Sequence, residues 1–206
     1  MNPDQSTKVI FKEEAKQKIL KGVKILAEAV GSTLGPRSLS VAIDQGYGHK
    51  VVDDGVGVAR AINLKDKFEN LGVKIGREAA QKTVDIVGDG TSGTIVLLSA
   101  IVEEAIKVIS SGVNPMQLRS EIEIGAKKVL TELGKIKQKI TSKEQKIQVA
   151  TISCKDEVLG KLVADTIIKI GDDGIVTVEE SKLPETEVEM QDGMQFERGY
   201  AHPFMI

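Results

Sequence analysis

The sequence GDGTSGT occupies residues 88–94 and separates two long segments with helical periodicity. Residues 66–87 before it and residues 94–111 after it carry apolar side chains at spacings of three and four. The glycines formally match G-x-G-x-x-G, but a dinucleotide site requires a strand before that motif, whereas a helix is predicted here. The sequence contains no Walker-type G-x-x-x-x-G-K-[ST] motif. The stretch therefore predicts a glycine-rich bend between two helices.

This bend has the chemistry of a phosphate-binding loop. Glycine lets a ligand approach the backbone closely, and the first N–H groups of a helix attract phosphate. Thr91, Ser92 and Thr94 add hydroxyl groups, and Asp89 offers the hard oxygen ligand that Mg²⁺ prefers. A plain helix–helix turn capped by threonine or serine has the same composition, so both interpretations stay open at this point.

Two further segments place a glycine and an oxygen ligand at a helix end. The first is Thr33-Leu34-Gly35-Pro36, and the second is Asp53-Asp54-Gly55. A helix stop and an ordinary Asp-Gly turn are the alternative interpretations. The sequence alone does not show whether the three segments converge.

The first 135 residues predict a helical domain with a small hairpin. Long helices are expected over residues 13–30, 66–87, 94–111 and 115–134, and a short one over 56–61. Asn114 and Pro115 give the fourth long helix a strong start. Residues 40–43 and 50–52 are expected to pair around a turn that contains Gly46 and Gly48. The stripes expected to be buried are Phe68, Leu71, Ile75 and Ala79 in the second helix, and Met116, Leu118, Ile122, Ala126, Val129 and Leu133 in the fourth.

The composition changes after residue 135. Residues 135–146 are rich in lysine and are interpreted as a solvated linker or an exposed helix face. A helix is expected over 156–170, with Leu159, Leu162, Val163 and Ile167 on one side, and β-type segments over 175–178 and 187–190. This region is therefore predicted to be α/β. The final apolar run, Phe204-Met205-Ile206, leads us to expect that the sequence belongs to a larger protein.

Composition excludes several functional classes. A net charge of −2 and only six aromatic residues argue against nucleic-acid binding. The single cysteine, Cys154, excludes an internal disulfide, and with two histidines it is too little for a His/Cys zinc cluster. No apolar run approaches the roughly 20 residues of a membrane helix, and the first residues lack a signal sequence. We therefore expect a soluble, cytoplasmic protein with neither nucleic-acid nor membrane partners.

Several spaced blocks together resemble group I chaperonins, the bacterial GroEL and mitochondrial type. They occur in the family's order and cover essentially the whole chain: TLGP (33–36), DDGVGVAR (53–60), DKFENLG (66–72), GDGTSGT (88–94), NPMQL (114–118), DGIVTVEE (173–180) and GMQFERGY (193–200). By this resemblance, residues 1–135 correspond to the first part of an equatorial ATP-binding domain. Residues 136–191 correspond to part of the intermediate hinge domain, and 192–206 to the start of the apical substrate-binding domain. A eukaryotic member would reside in the mitochondrial matrix.

The resemblance implies a role for each of the three glycine segments. Thr33, Leu34, Gly35 and Pro36 would wrap the phosphates of ATP. Asp89 would ligate Mg²⁺ while Gly90, Thr91 and Ser92 donate to phosphate oxygens, and K⁺ is a further expected ion. Asp54 would be the catalytic residue that orients the attacking water. Asp53 and Gly93 complete the predicted nucleotide site but depart from the family, which usually has lysine or asparagine and a hydroxyl residue at these places.

The resemblance also implies partners. Tyr200, Phe204 and Met205 match apolar positions of the surface that binds unfolded polypeptide. A co-chaperonin lid and self-association into rings are expected of the full-length form. The family's returning half, which carries another catalytic aspartate, is not in this sequence. The alternative functions are therefore a nucleotide- or peptide-binding module without ATP turnover, and an inactive assembly fragment.

Overall fold

The protein was analysed as a computed structural model, which describes residues 8–44, 48–171, 174–179, 181, 186–191, 193, 199 and 204. The chain divides into two compact units, residues 1–131 and 132–206, which are described separately. The domain boundaries expected at 135/136 and 191/192 stay predictions. None of the helices in the described part of the chain is long and apolar enough to cross a bilayer.

The first unit is mostly helical with one small antiparallel hairpin, as predicted. Its elements are α1 (Lys12–Gly31), β1 (Val41–Asp44), β2 (His49–Val52), α2 (Gly55–Ala61), α3 (Lys67–Val87), α4 (Thr91–Ser110) and most of α5 (Pro115–Ile136). Val41 lies opposite Val52, and Asp44 lies opposite His49. Gly46, expected in the turn, lies outside the described residues.

The core of this unit forms where α1 packs against α3 and α4. Its buried residues come from five elements: Leu26, Val30, Val52, Val58, Ala59, Val73, Ala80 and Ile95. Complete burial of one such leucine, isoleucine or valine contributes about 1.5–3 kcal/mol. On α1, Leu20, Val23, Leu26 and Val30 are all buried, at the spacings of three and four that place them on one helix face.

The buried face of α3 differs from the prediction. Its buried residues are Gly72, Val73, Gly76 and Ala80, whereas Leu71 and Ile75 are 43% and 39% exposed. A Cβ at Gly72 would overlap the carbonyl oxygen of Ile19 on α1. The helices therefore cross with their backbones in contact, and small residues rather than the largest apolar ones face the partner.

Ion pairs join the three packed helices at their edges. Lys18 on α1 pairs with Asp66, which also accepts from the N–H groups of Phe68 and Glu69 and so caps α3. The hydrogen bond from Lys18, together with these two backbone bonds, lowers the pKa of Asp66 to about 2. Lys24 pairs with Glu103 on α4 at 3.0 Å.

The start of α5 is confirmed, but the predicted burial of its apolar stripe is wrong. Asn114 Oδ1 accepts from Met116 N at 2.8 Å, which is the expected capping bond. The structure describes every residue of α5, and none of them is buried. Val129 is 59% exposed and Leu133 is 50% exposed. Periodicity shows which face of a helix can be buried, but burial also needs a partner surface.

The second unit contains the end of α5, then α6 (Lys143–Cys154) and α7 (Glu157–Ile170). The sequence analysis did not predict α6, because it interpreted residues 135–146 as a solvated linker or an exposed helix face and proposed no helix over 143–154. A reciprocal capping box between Ser142 and Gln145 starts this helix. The two helices touch where a Cβ at Gly160 would lie 2.5 Å from Thr151 Cα. Lys143 and Asp165 join them by an ion pair of 2.7 Å.

The predicted β-type segments after α7 are not strands. Residues 174–179 and 186–190 lie outside regular secondary structure, so the α/β prediction is wrong for the described part of this unit. Alternating apolar residues make a segment suitable for a sheet, but a strand forms only when another strand satisfies its backbone hydrogen bonds.

Candidate functional site

The segment Thr33–Pro36 forms the turn that ends α1. Thr33 Oγ1 donates to the carbonyl of Val30 at 2.8 Å, and Leu39 N donates to the carbonyl of Ser32 at 2.9 Å. Gly35 has φ 87°, a left-handed conformation that favours glycine. Leu34, Gly35 and Pro36 are exposed, so this turn presents its backbone to solvent.

The segment Asp53–Gly55 joins β2 to α2. Asp54 is the N-cap of α2, and its Oδ2 accepts from Gly57 N at 2.8 Å. Both Asp53 and Asp54 are exposed, while Val52 before them belongs to the core. The carboxylate of Asp54 is therefore fixed by the first turn of α2.

The glycine-rich bend is a tight connection between α3 and α4. Gly88 ends α3 with φ 77°, and Gly90 precedes α4 with φ 96°. Asp89, between these two left-handed glycines, accepts from Gly90 N at 2.5 Å and is exposed. The helix begins at Thr91, three residues before the predicted start, because the glycine at position 90 can adopt the left-handed N-cap conformation.

Thr91 is the first residue of α4 and has an unusual side chain. It is 6% exposed, and its Oγ1 has no hydrogen-bond partner among the described residues. The side chain lines a cavity of about 10 Å³, which is about the volume that one water needs. Arg77 and Gln81 are among the other residues that line it. The backbone N–H groups of the first turn of α4 have no acceptor within their own helix.

The structure brings two of the three glycine segments, 53–55 and 88–93, into contact, and it places the end of α1, which leads into 33–36, beside them. A Cβ at Gly55 would overlap Ser92 Oγ and lie 3.3 Å from Val30 Cγ1. A Cβ at Gly31 would lie 3.6 Å from Val96 Cγ2. The end of α1, the start of α2 and the start of α4 are thus neighbours, a convergence that the sequence could not establish.

Thr83 is a supporting residue that the sequence analysis missed. Its Oγ1 accepts from Thr94 Oγ1 at 3.1 Å, and its methyl group would lie 3.3 Å from a Cβ at Gly90. It braces the bend from the last turns of α3. The sequence signal for it is weak: it is a threonine five residues before Gly88, on the last turns of the predicted helix.

The assembled site offers anion donors and exposed carboxylates on one surface. Helix N-terminal N–H groups favour phosphate, and carboxylates such as Asp54 and Asp89 favour Mg²⁺. Within the described residues, no group of three or more His, Cys, Asp or Glu side chains could hold a metal ion alone. Magnesium typically binds one or two carboxylates and completes its shell with phosphates and water. The residues present therefore fit a metal that arrives with a nucleotide.

The predicted polypeptide-binding residues are Tyr200, Phe204 and Met205. Tyr200 and Met205 lie outside the described residues. Phe204 is described and is 92% exposed.

Comparisons with known proteins agree on one family. The family model of the TCP-1/cpn60 chaperonins matches residues 26–206. A solved structure with a similar fold is the crystal structure of a group III chaperonin in the open state. It matches with a TM-score of 0.65 and 23% sequence identity over 79% of this chain, which is a likeness of fold. The match covers 34% of that chaperonin chain, so this chain spans about a third of its length.

Proposed function

The chain belongs to the TCP-1/cpn60 chaperonin family, and on this premise we propose that it serves as part of an ATP-dependent, protein-folding chaperonin subunit of group I. In this proposal Mg-ATP binds at the bend 88–93 and the turn 33–36, and drives a conformational change that encloses and releases unfolded polypeptide. The blocks KFENLG and GMQFERGY support group I.

The observation that carries this proposal is the contact between the segments 53–55 and 88–93, beside the end of α1 that leads into the turn 33–36. Each segment alone is an ordinary turn. A Cβ at Gly55 would overlap Ser92 Oγ and lie 3.3 Å from Val30 Cγ1, so the segment that carries the exposed Asp54 lies against the first turn of α4, close to the end of α1. A triphosphate needs several donors and a cation, and the unpaired N–H groups at the start of α4 and the neighbouring carboxylates are suited to these tasks.

The proposed roles follow from where each group lies. Asp89, exposed between Gly88 and Gly90, ligates Mg²⁺, which when bound neutralises charge on the phosphates. Backbone N–H groups of residues 90–93 and the hydroxyl of Ser92 donate to phosphate oxygens. Because the Thr91 hydroxyl is buried, this residue contributes its N–H group.

The turn 33–36 and the two aspartates of the β2–α2 connection complete the nucleotide site. The exposed backbone of Thr33–Pro36 wraps the phosphates, with K⁺ as a further ion. Asp54 holds the attacking water in line with the terminal phosphate, which is a positioning role. Asp53 adds a second negative charge beside the phosphates, so binding depends more strongly on a cation than it would with lysine there.

The partners proposed for the full-length form are unfolded polypeptides, a co-chaperonin lid and other subunits in a ring. Tyr200, Phe204 and Met205 contribute to the polypeptide surface, and the exposure of Phe204 supports its part in this role. The proposed location is the cytoplasm, or the mitochondrial matrix in a eukaryote.

Titration of a fluorescent ATP analogue with Mg²⁺ tests the site. We expect saturable binding by the 206-residue chain, and a loss of affinity of at least about tenfold in Asp89→Ala, since a charge-assisted contact contributes about 1.5–3 kcal/mol. Asp85→Ala is the matched control, because Asp85 is also exposed and accepts a hydrogen bond from Gln81 on its own helix, α3. Absence of saturable binding up to millimolar analogue, or equal losses in both variants, would contradict the proposal.

A nucleotide-binding module without turnover is the second candidate function for this chain alone. It is favoured by the short span of the chain, about a third of the chaperonin that it matches. Steady-state hydrolysis with Mg²⁺ and K⁺ tests whether the 206-residue chain turns over ATP by itself. We expect no turnover by the 206-residue chain, and hydrolysis that Asp89→Ala abolishes would overturn this expectation.

A further inference from the structure

Position 55 needs glycine because a neighbouring side chain leaves no room for a Cβ, and not because its backbone conformation excludes other residues. It is the buried first residue of α2, and its φ lies outside the left-handed region. Alanine would therefore suit this helical position better than glycine in an isolated helix. A Cβ here would overlap Ser92 Oγ and lie 3.3 Å from both Ser92 Cβ and Val30 Cγ1. Glycine is needed at position 55 because α4 approaches so closely.

This contact sets the position of the neighbouring carboxylate. Asp54 directly precedes Gly55, and its Oδ2 is held by Gly57 N at 2.8 Å. Any shift of the α2 N-terminus away from α4 carries Asp54 with it. We propose that the Gly55–Ser92 contact fixes the distance between Asp54 and the bend 88–93, which makes Gly55 a positioning residue of this site. The inference rests on the proposed nucleotide-binding function.

A methyl group at position 55 can be accommodated in two ways. Ser92 can rotate to another χ1 well, which takes its hydroxyl away from its present place in the site. Alternatively, α2 can move outward, which takes Asp54 away from the bend. In both cases the loss of nucleotide affinity arises mainly from the overlap between the added methyl group and Ser92 Oγ. The effect of Gly55→Ala must therefore shrink when Ser92 is replaced by alanine.

A double-mutant cycle tests this dependence. The four proteins are the unaltered chain, Gly55→Ala, Ser92→Ala and the double variant, each titrated with the fluorescent ATP analogue and Mg²⁺. We expect Gly55→Ala alone to weaken binding by about tenfold or more, and to change it by less than about threefold in the Ser92→Ala background, since residues in contact are not additive. A purely local loss of stability at position 55 would weaken binding equally in both backgrounds.

Gly125→Ala is the matched control for adding a methyl group to a helix. Gly125 lies on α5, where a Cβ would meet no atom within 4 Å. We expect this variant to bind the analogue like the unaltered chain and to melt at the same or a slightly higher temperature. Binding losses that multiply in the double variant, or unaltered binding by Gly55→Ala, would overturn the proposal.

Thermal unfolding of the same four proteins separates this inference from the proposed function. If the unaltered chain binds no nucleotide, the proposed function fails, but the contact is still measured by melting temperature. We expect Gly55→Ala to lower the melting temperature when Ser92 is present, and to lower it much less in the Ser92→Ala background. Equal decreases in both backgrounds would show that Ser92 does not determine the need for glycine.

Discussion

The helices α1 and α5 have similar lengths and amphipathic patterns, but only α1 is packed. Five residues of α1 are buried, whereas no residue of the fully described α5 is. The difference does not lie in apolar content, since α5 exposes Ile122, Val129, Leu130 and Leu133 on its surface. It lies in the partners, because α3 presents Gly72 and Gly76, which let α1 approach closely, and α4 also packs on α1. An apolar stripe is therefore necessary for burial but not sufficient.

Truncating one leucine on each helix should give the largest difference in stability between α1 and α5. Leu26 on α1 is fully buried and packs on Gly76, while Leu130 on α5 is 66% exposed. We expect Leu26→Ala to lower the free energy of unfolding by about 2–5 kcal/mol, the usual cost of such a cavity. Leu130→Ala should change it by less than about 0.5 kcal/mol. Urea unfolding followed by circular dichroism measures both, and comparable losses would contradict the contrast.

Replacing one glycine by alanine on α3 and one on α5 should give the next largest difference in the free energy of unfolding. Alanine at Gly72 would meet the carbonyl of Ile19 and lie 2.9 Å from Val23 N, so α1 and α3 must separate. We expect a loss of about 1–3 kcal/mol, as for other overpacked sites. Gly125→Ala on α5, in open space, should instead stabilise the protein by about 0.5–1 kcal/mol. The same urea titrations measure these variants, and a stabilising Gly72→Ala would show that the close crossing is not required.

The smallest effect concerns the ion pairs, and it disappears in acid. Asp66 pairs with Lys18 and caps α3, whereas Asp165 in the second unit pairs with Lys143 without a capping role. Lys143 lowers the pKa of Asp165, and Lys18 with two backbone N–H groups lowers the pKa of Asp66 from 3.8 to about 2. A depressed carboxyl pKa stabilises the folded state above the unfolded value, and this stabilisation disappears as the pH falls through the folded value.

We therefore expect the stability of the unaltered chain and of Asp66→Asn to converge between about pH 4 and pH 2. Asp165→Asn should show a weaker convergence over the same interval. Both carboxylates are about one-third exposed, so solvent screens the pairs and the effect is small. Urea midpoints measured as a function of pH check this, and parallel curves for Asp66→Asn would show that its charge contributes nothing.

Most helices were predictable because their signals are local. Periodicity identified α1, α3 and α7, and capping residues identified the start of α5. The helix α6 was missed because the lysines of residues 135–146 dominated its first turn, although Ser142 and Gln145 form a capping box that could have revealed it. The β-type segments were wrong because strand formation depends on a distant partner, which a local pattern cannot supply.

Buried faces were harder to predict wherever helices cross closely. On α3 the larger apolar residues were expected to be buried, but the buried ones include Gly72 and Gly76, and on α7 the buried residues are Gly160 and Ala164. Glycine has no apolar side chain, so a prediction based on large apolar residues does not identify a helix face that packs through its backbone. The close contact itself depends on the residues opposite, such as Ile19 and Thr151.

In the candidate site, too, some features follow from the local sequence and others depend on distant residues. The sequence supplied its parts: the glycines that permit left-handed turns, the aspartates that can ligate a cation, and the order of blocks that identifies the family. These properties belong to individual residues and their neighbours in the chain. Only the tertiary structure decided that the segments 53–55 and 88–93 meet beside the end of α1, because their proximity depends on how α1, α2 and α4 pack. Packing depends on many weak contacts between residues that are distant in sequence. The contact between Gly55 and Ser92 is one of them, and it joins two segments of the candidate site.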